Sequence, residues 1–248
     1  MIEITNTEVN GFETAIRGMR NPMNSWSNSD SYMGFDCNAC SQIEVNGYCE
    51  PQKHDCFEYY GIQIGENDLS LMKKLSKAGS DHSKYLRMIN VSMDINAPLY
   101  WWKEFDTYKV GTVANSTSTM HKLASTPITK DCFEMDDFED VYSYKALKEA
   151  TLTSWWDLMI DELECLRLKY NETKDKRYWK ELIRLLPDSW LQRRTVTMNY
   201  ENLLVMCSKG QRRNHKLTEW SKSFIDWARS LPYAQQLIFI DELEDKNV

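Results

Sequence analysis

The chain is poor in the punctuation and the motifs that mark most nucleotide enzymes. Nine glycines and six prolines in 248 residues leave little material for glycine-rich phosphate loops. Neither G-x-x-x-x-G-K-[ST] nor G-x-G-x-x-G occurs, which excludes a P-loop or Rossmann phosphate cradle. No G-x-S-x-G elbow occurs either. Four histidines argue against a hydrolase built on a histidine cluster, and H-E-x-x-H is absent. No apolar run approaches the roughly 20 residues of a membrane span. The opening Met1-Ile2-Glu3-Ile4 carries an acid early and lacks an apolar core, so no signal peptide is expected and the cytoplasm is the expected location. The net charge of −7 argues against bulk nucleic-acid binding, which needs a basic surface, though not against a small basic pocket for one nucleotide.

What the chain has in quantity is aromatic surface and cysteine. Nine tryptophans and thirteen tyrosines suit interfaces and pockets as well as a large core. Seven cysteines, an odd number in an expected cytoplasmic protein, disfavour disulfides. Four of them form C-x2-C-x8-C-x6-C: Cys37, Cys40, Cys49 and Cys56, with His54 as an alternative to Cys56. Thiolates at such spacing can hold structural zinc tetrahedrally; four reduced thiols in an insertion is the competing reading. Cys132, Cys165 and Cys207 read as small core residues.

The periodicity predicts a helix-rich α+β chain, one domain over 1–248 with a Cys-rich insertion at about 30–60. Residues 1–20 read as a strand and a helix with Phe12, Ile16 and Met19 on one face, and 21–60 as loop or insertion. Asn67 or Asp68 is expected to cap a helix that stops at Gly79. Residues 81–105 combine helix and strand, and 107–114 are the best strand candidate, with a polar strand end or loop at 115–119. Helices are expected over 143–170, 175–186 and 216–231, and a strand entering a helix over 189–206.

Two stretches could hold a ligand. Trp101 to His121 combines aromatics, Lys109, a run of hydroxyls and an imidazole, as binding pockets require; the alternative is a Ser/Thr-rich surface strand. Arg212-Arg213-Asn214-His215-Lys216 precedes a helix, with Arg193-Arg194 upstream. These four arginines suggest a phosphate pocket or a solvated basic turn.

The order of these segments resembles the flavin-dependent thymidylate synthases, whose signature is R-H-R-x-x-S-x-N-E-x-S-x-R-Y. Asn115-Ser116-Thr117-Ser118 falls where N-E-x-S would, and Gly79-Ser80-Asp81-His82 begins the preceding segment. Leu186-Pro187 falls where an A-R-x-x-L-P element ends, though its arginine position is Ile183 with Arg184 one place late. Asn199-Tyr200-Glu201-Asn202-Leu203 falls at an N-x-R-S-L element, and Ala15-Ile16-Arg17-Gly18-Met19 is similar to an early A-A-R-x-S helix. The resemblance covers residues 1–20 and 65–235, by order and spacing more than identity. It implies FAD, dUMP, pyrimidine methylation and a homotetramer.

The departures fall on anion-binding positions. R-H-R becomes Tyr108-Lys109-Val110, the last arginine and tyrosine become Met120 and His121, and the N-x-R arginine becomes Glu201. Each lost arginine removes a charge-assisted, often bidentate contact. The resemblance therefore implies a divergent nucleotide binder. Its expected nucleotide residues are Lys109, Asn115, Ser116, Ser118, His121, Arg193, Arg194, Asn199, Arg212 and Arg213, with His82 and Tyr108 on the flavin side. A viral, for example phage, protein capturing a host nucleotide signal would suit such a scaffold. An active flavoenzyme and a ligand-free interaction protein are the alternatives.

Overall fold

The computed structural model describes residues 1–35, 60–108, 110–135, 152–210 and 212–245. In chain order these form β1 (Glu3–Asn10), α1 (Phe12–Arg20), β2 (Tyr32–Phe35), β3 (Tyr60–Gln63), α2 (Glu66–Lys77), α3 (Ser80–Ser83), β4 (Asn90–Pro98), α4 (Leu99–Phe105), β5 (Val113–Ser116), α5 (Thr119–Lys122), α6 (Leu152–Thr173), α7 (Lys176–Leu185), β6 (Leu191–Asn199) and α8 (Tyr200–Met206). A π-helical segment (Glu219–Phe224) then runs into α9 (Ile225–Arg229), followed by α10 (Ala234–Leu237) and α11 (Glu242–Asp245). The chain is helix-rich α+β. Its main sheet has the order β1-β4-β6-β5, and β2 and β3 make a separate ribbon.

The chain divides into two units, each assembled from segments distant in sequence. The first comprises Met1–Glu8, Ser92–Thr197 and Gly210–Trp227; the second comprises Val9–Val91, Met198–Lys209 and Ala228–Val248. In the first unit, β4 and β6 alternate as strands buried on one face must. Met93 and Ile95 of β4 and Val196 of β6 are buried, while Ser92 and Asp94 share the opposite face with Thr197, Thr195 and Arg193. Asp94 ties three strands: its carboxylate accepts from Asn6 Nδ2 (2.8 Å), Thr195 Oγ1 (2.5 Å) and Arg193 Nη2 (2.8 Å). Antiparallel pairing sets Val113 against Thr197 and Ser116 against Arg194. In the same unit Trp101, Trp102 and Phe105 of α4 meet Trp220 and Phe224, all fully or nearly fully buried. These tryptophans build core rather than interface. Ile160, Leu163 and Leu166 of α6 and Leu182 of α7 form a further cluster with Leu123, Ile128 and Phe133.

In the second unit α1 buries Phe12, Ala15, Ile16 and Met19, the expected face extended by one residue. Gly11 begins it at φ +101°, where a β-carbon would stand 2.0 Å from the Met88 carbonyl oxygen, so only glycine fits. Phe12 packs edge-on against Tyr200 and Tyr233, whose hydroxyls donate to the carbonyls of Pro232 (2.7 Å) and Ile62 (3.2 Å). A buried ion pair joins α1 to α2. Arg20 Nε donates to Asp68 Oδ1 at 2.6 Å, with both side chains at or below 5% exposure. The other guanidinium nitrogens donate to the carbonyls of Ser25 and Asn28, both at 3.1 Å. Asp68 Oδ2 accepts from the hydroxyls of Ser29 and Ser31 (both 2.7 Å) and from the amides of Asp30 and Ser31 (both 3.1 Å).

Several expectations are corrected here. Residues 21–60 are not all loop: Tyr32–Phe35 pairs antiparallel with Tyr60–Gln63. Both strands carry a glycine and have few buried residues, so no period-two pattern marks them. The strand placed at 107–114 starts instead at Val113. Asp106–Tyr108 is a 3-10 turn, and Gly111 at φ +81° reverses the chain before the strand. Asn67 and Asp68 do not cap α2 with their side chains. The cap comes from Asp30, whose carboxylate accepts from the Asn67 and Asp68 amides at 2.9 and 3.1 Å. Of the scattered cysteines, Cys207 is buried, but Cys132 and Cys165 are only half-buried. The reading of 143–151 as helix lies outside the described residues; 152–173 is helix as expected. No helix among the described residues is long and apolar enough to cross a membrane.

Two measurements follow from these ties. Burial pushes the Asp68 carboxyl up, but the hydroxyls of Ser31 and Ser29 and then Arg20 outweigh it and hold the group below the usual carboxylate range. Asp68→Ala leaves Arg20 buried and unpaired, and chemical denaturation should show a loss of about 3–5 kcal/mol. Asp94 is held down at about 2, first by Thr195, then by Arg193 and Asn6, from an ordinary 3.8. Its lowered value means a stabilisation fully present above the unfolded value and lost as pH falls from 3.8 through about 2. Asp94→Asn should flatten the denaturation midpoint across that window, leaving a gap to wild type at neutral pH that closes in acid.

Candidate functional site

The first unit carries a polar cleft where β5 ends. The chain leaves the strand at Ser116, and Thr117 extends the pairing by one bond, its amide donating to the Arg193 carbonyl at 2.9 Å. Ser118 then caps α5, its hydroxyl accepting from the His121 amide at 3.2 Å. Gln192 holds this turn from β6, its side-chain amide donating to the Thr117 carbonyl (3.1 Å) and to Thr119 Oγ1 (3.3 Å). A cavity of about 220 Å³ opens between these segments. Thr117, Ser118, Thr119, Lys122, Asn96 and Arg193 give it donors; Leu123, Trp190 and Leu191 give it apolar wall, and Cys132 also faces it.

The two cations of the cleft differ. Arg193 is neutralised by Asp94 at 2.8 Å. The Lys122 ammonium makes no ion pair with any described residue. Hydroxyls beside an ammonium that no described acid pairs with can receive an anionic oxygen group, since charge-assisted bonds are the stronger kind. The Asn96 amide and the Trp190 ring add an edge and a face for a planar group.

The expected residues divide. Ser118 and Arg193 line the cleft, Asn115 and Ser116 are exposed on the adjoining β5, and His121 is exposed on α5. Arg194 points the other way, as its neighbour on a strand must. Its guanidinium stacks over the Trp102 ring at 4.1 Å and pairs with Asp106 at 3.1 Å. Burial lowers its pKa, and Asp106 counters that in part. Arg212 lies over the Tyr108 ring at 5.3 Å, and the Tyr108 hydroxyl donates to Glu104 at 3.1 Å. Burial first, and Glu104 next, raise the Tyr108 pKa. His215 Nε2 faces the same Glu104 carboxylate at 3.7 Å. Arg194, Arg212, His215 and Tyr108 thus belong to an internally paired cluster over the Trp102 and Trp220 core rather than to the cleft, and Arg213 follows in the same turn, half-buried.

In the second unit Asn199 is the cap of α8, in a reciprocal capping box with Asn202 (3.0 and 3.1 Å). Glu201, which stands at the arginine position of the N-x-R element, is engaged by both the Nε and Nη2 of Arg87. His82 is exposed on α3. Lys109 and the cysteine set Cys37, Cys40, Cys49 and Cys56, with His54, lie outside the described residues. Among those described, no group of three or more His, Cys, Asp or Glu could hold a metal ion.

Sequence reasoning missed Lys122, Gln192, Asn96 and Trp190. Lys122 was within reach, one helical turn after the Ser118 cap. Asn96 had no signal, because only sheet pairing brings β4 beside residues more than 20 positions later.

No protein-family model matches the sequence, and no curated protein does. Solved structures do. Thymidylate synthase X (ThyX) from Helicobacter pylori with FAD and dUMP is 16% identical, with a TM-score of 0.60 over 97% of this chain and 98% of that one. A second crystal structure, flavin-dependent thymidylate synthase ThyX from Helicobacter pylori complexed with FAD and dUMP, is 15% identical, with a TM-score of 0.58 over 96% and 98%. At such identity the likeness establishes the fold: the chain has a flavin-dependent thymidylate synthase-like architecture.

Proposed function

We propose that this chain is a divergent thymidylate synthase-like protein that binds a nucleotide in the cleft at β5 and α5, without running the thymidylate synthase reaction. The observation that carries the reading is the Lys122 ammonium, which pairs with no acid among the described residues, beside the Thr117–Thr119 hydroxyls in a chain of net charge −7. The similar solved structures are complexes with FAD and dUMP, which supports a nucleotide as the ligand class.

The residues present do not fit FAD as the resembled family would hold it. On the flavin side the Tyr108 hydroxyl is spent on Glu104, and at an expected nucleotide position the Asn199 side-chain carbonyl is spent on the Asn202 amide. The Glu201 carboxylate, standing where an arginine would bind an anion, is taken by Arg87. A scaffold that holds a nucleotide without converting it sequesters or senses it, as a viral protein capturing a host nucleotide signal would. A homotetrameric assembly and a cytoplasmic location belong to the same proposal.

The purified protein should be colourless, and a nucleoside monophosphate should raise its melting temperature by mass action, worth about 2.7 kcal/mol at 100 times Kd. Lys122→Ala, which leaves the Ser118 cap intact, should weaken that binding about tenfold or more, or about 1.4 kcal/mol. A bound flavin band together with methylation of dUMP would establish the enzyme reading instead. A melting temperature indifferent to a broad nucleotide panel would leave an interaction protein.

A further inference from the structure

A second cavity, of about 230 Å³, lies beside α1 and is lined only by residues of the second unit. Ile16 and Ile62 supply apolar wall, and Trp26 and Tyr32 reach it with 50% and 63% of their surface still exposed. Its shape is held in advance. The Arg20–Asp68 network fixes the loop that carries Trp26, and the Trp26 indole N–H donates to Asn21 Oδ1 at 2.9 Å.

Glu13 and Arg17 line the same cavity one helical turn apart. That spacing normally lets a carboxylate and a guanidinium pair on a helix surface. Neither makes an ion pair or hydrogen bond with any described residue. Two opposite charges that no other described residue engages therefore stand side by side at the edge of an aromatic wall.

We infer that this cavity binds a small aromatic zwitterion, of the chemistry of an aromatic amino acid. Its ring packs on Trp26 and Tyr32, its carboxylate meets Arg17 and its ammonium meets Glu13. The charges of such a ligand are neighbours, as Glu13 and Arg17 are. A simple aromatic acid would bring its charge beside Glu13, and a simple aromatic amine would bring its charge beside Arg17, so each is selected against. Size points the same way: the volume lies below the roughly 300–1,000 Å³ of cofactor-sized sites, enough for one ring system and too small for a dinucleotide.

Calorimetric titration of the full chain with L-tryptophan, indole-3-propionate and tryptamine tests this. L-tryptophan should bind, and the analogues lacking the ammonium or the carboxylate should each bind about tenfold more weakly or worse, about 1.4 kcal/mol. Glu13→Gln should erase the preference over indole-3-propionate, and Arg17→Gln the preference over tryptamine. Both side chains are exposed, so an unchanged melting temperature will verify folding. The inference is overturned if L-tryptophan, L-tyrosine and L-phenylalanine all fail to bind at millimolar concentration, or if both variants bind L-tryptophan like the wild type.

Discussion

The two-residue repeat of β6 is the constraint on which the first unit depends. Val196 must face the core, so Arg194, two residues earlier, must face it too. A guanidinium there survives only by stacking on Trp102 and pairing with Asp106. Arg193 and Thr195 take the opposite face, where Asp94 receives both. One strand thereby assigns two adjacent arginines to different tasks, and the cleft receives Arg193 alone. A slip of one residue would exchange them and put Val196 into solvent.

Polar ties between distant segments do what local propensity does not. Asp94 connects β1, β4 and β6, and Asp68 collects five donors, four of them from the Ser29–Ser31 segment. The two ties differ in kind. Asp94 is near the surface, and its bonds act mainly to align strands. Asp68 is fully buried, so its charge is tolerable only because Arg20 pairs with it and four further donors reach Oδ2. The same bonds tie down the Ser25–Ser31 segment that carries Trp26 to the cavity beside α1.

Much of the fold was legible because it follows period and punctuation. The apolar face of α1, the Asp175 to Pro187 limits of α7 and the passage from β6 into α8 all appear where the sequence places them. The β2–β3 ribbon was not legible, since it is held by pairing between its strands and buries little. The start of β5 was misplaced because Tyr108 is β-prone by type, yet its hydroxyl is drawn back to Glu104, four residues earlier, in a 3-10 turn. Of the site, the run of hydroxyls at 115–119 could be read from composition; the Ser118 cap could not, because no helix was expected at Thr119–Lys122. The commitment of Arg194 and Arg212 to aromatic rings could not, because a charge in a sequence carries no mark of what neutralises it.

Residue type and spacing were enough to establish a helix-rich α+β chain and the absence of P-loop and Rossmann phosphate motifs. The missing motifs are properties of the chain in any conformation. Which cations are spent and which remain is settled in the folded chain alone. Ion pairing and cation–π stacking depend on groups brought together across tens of residues: Arg87 with Glu201, Arg193 with Asp94, Arg194 with Trp102. Among the described residues that pairing leaves Lys122 in one cavity and Glu13 with Arg17 in the other without a charged partner.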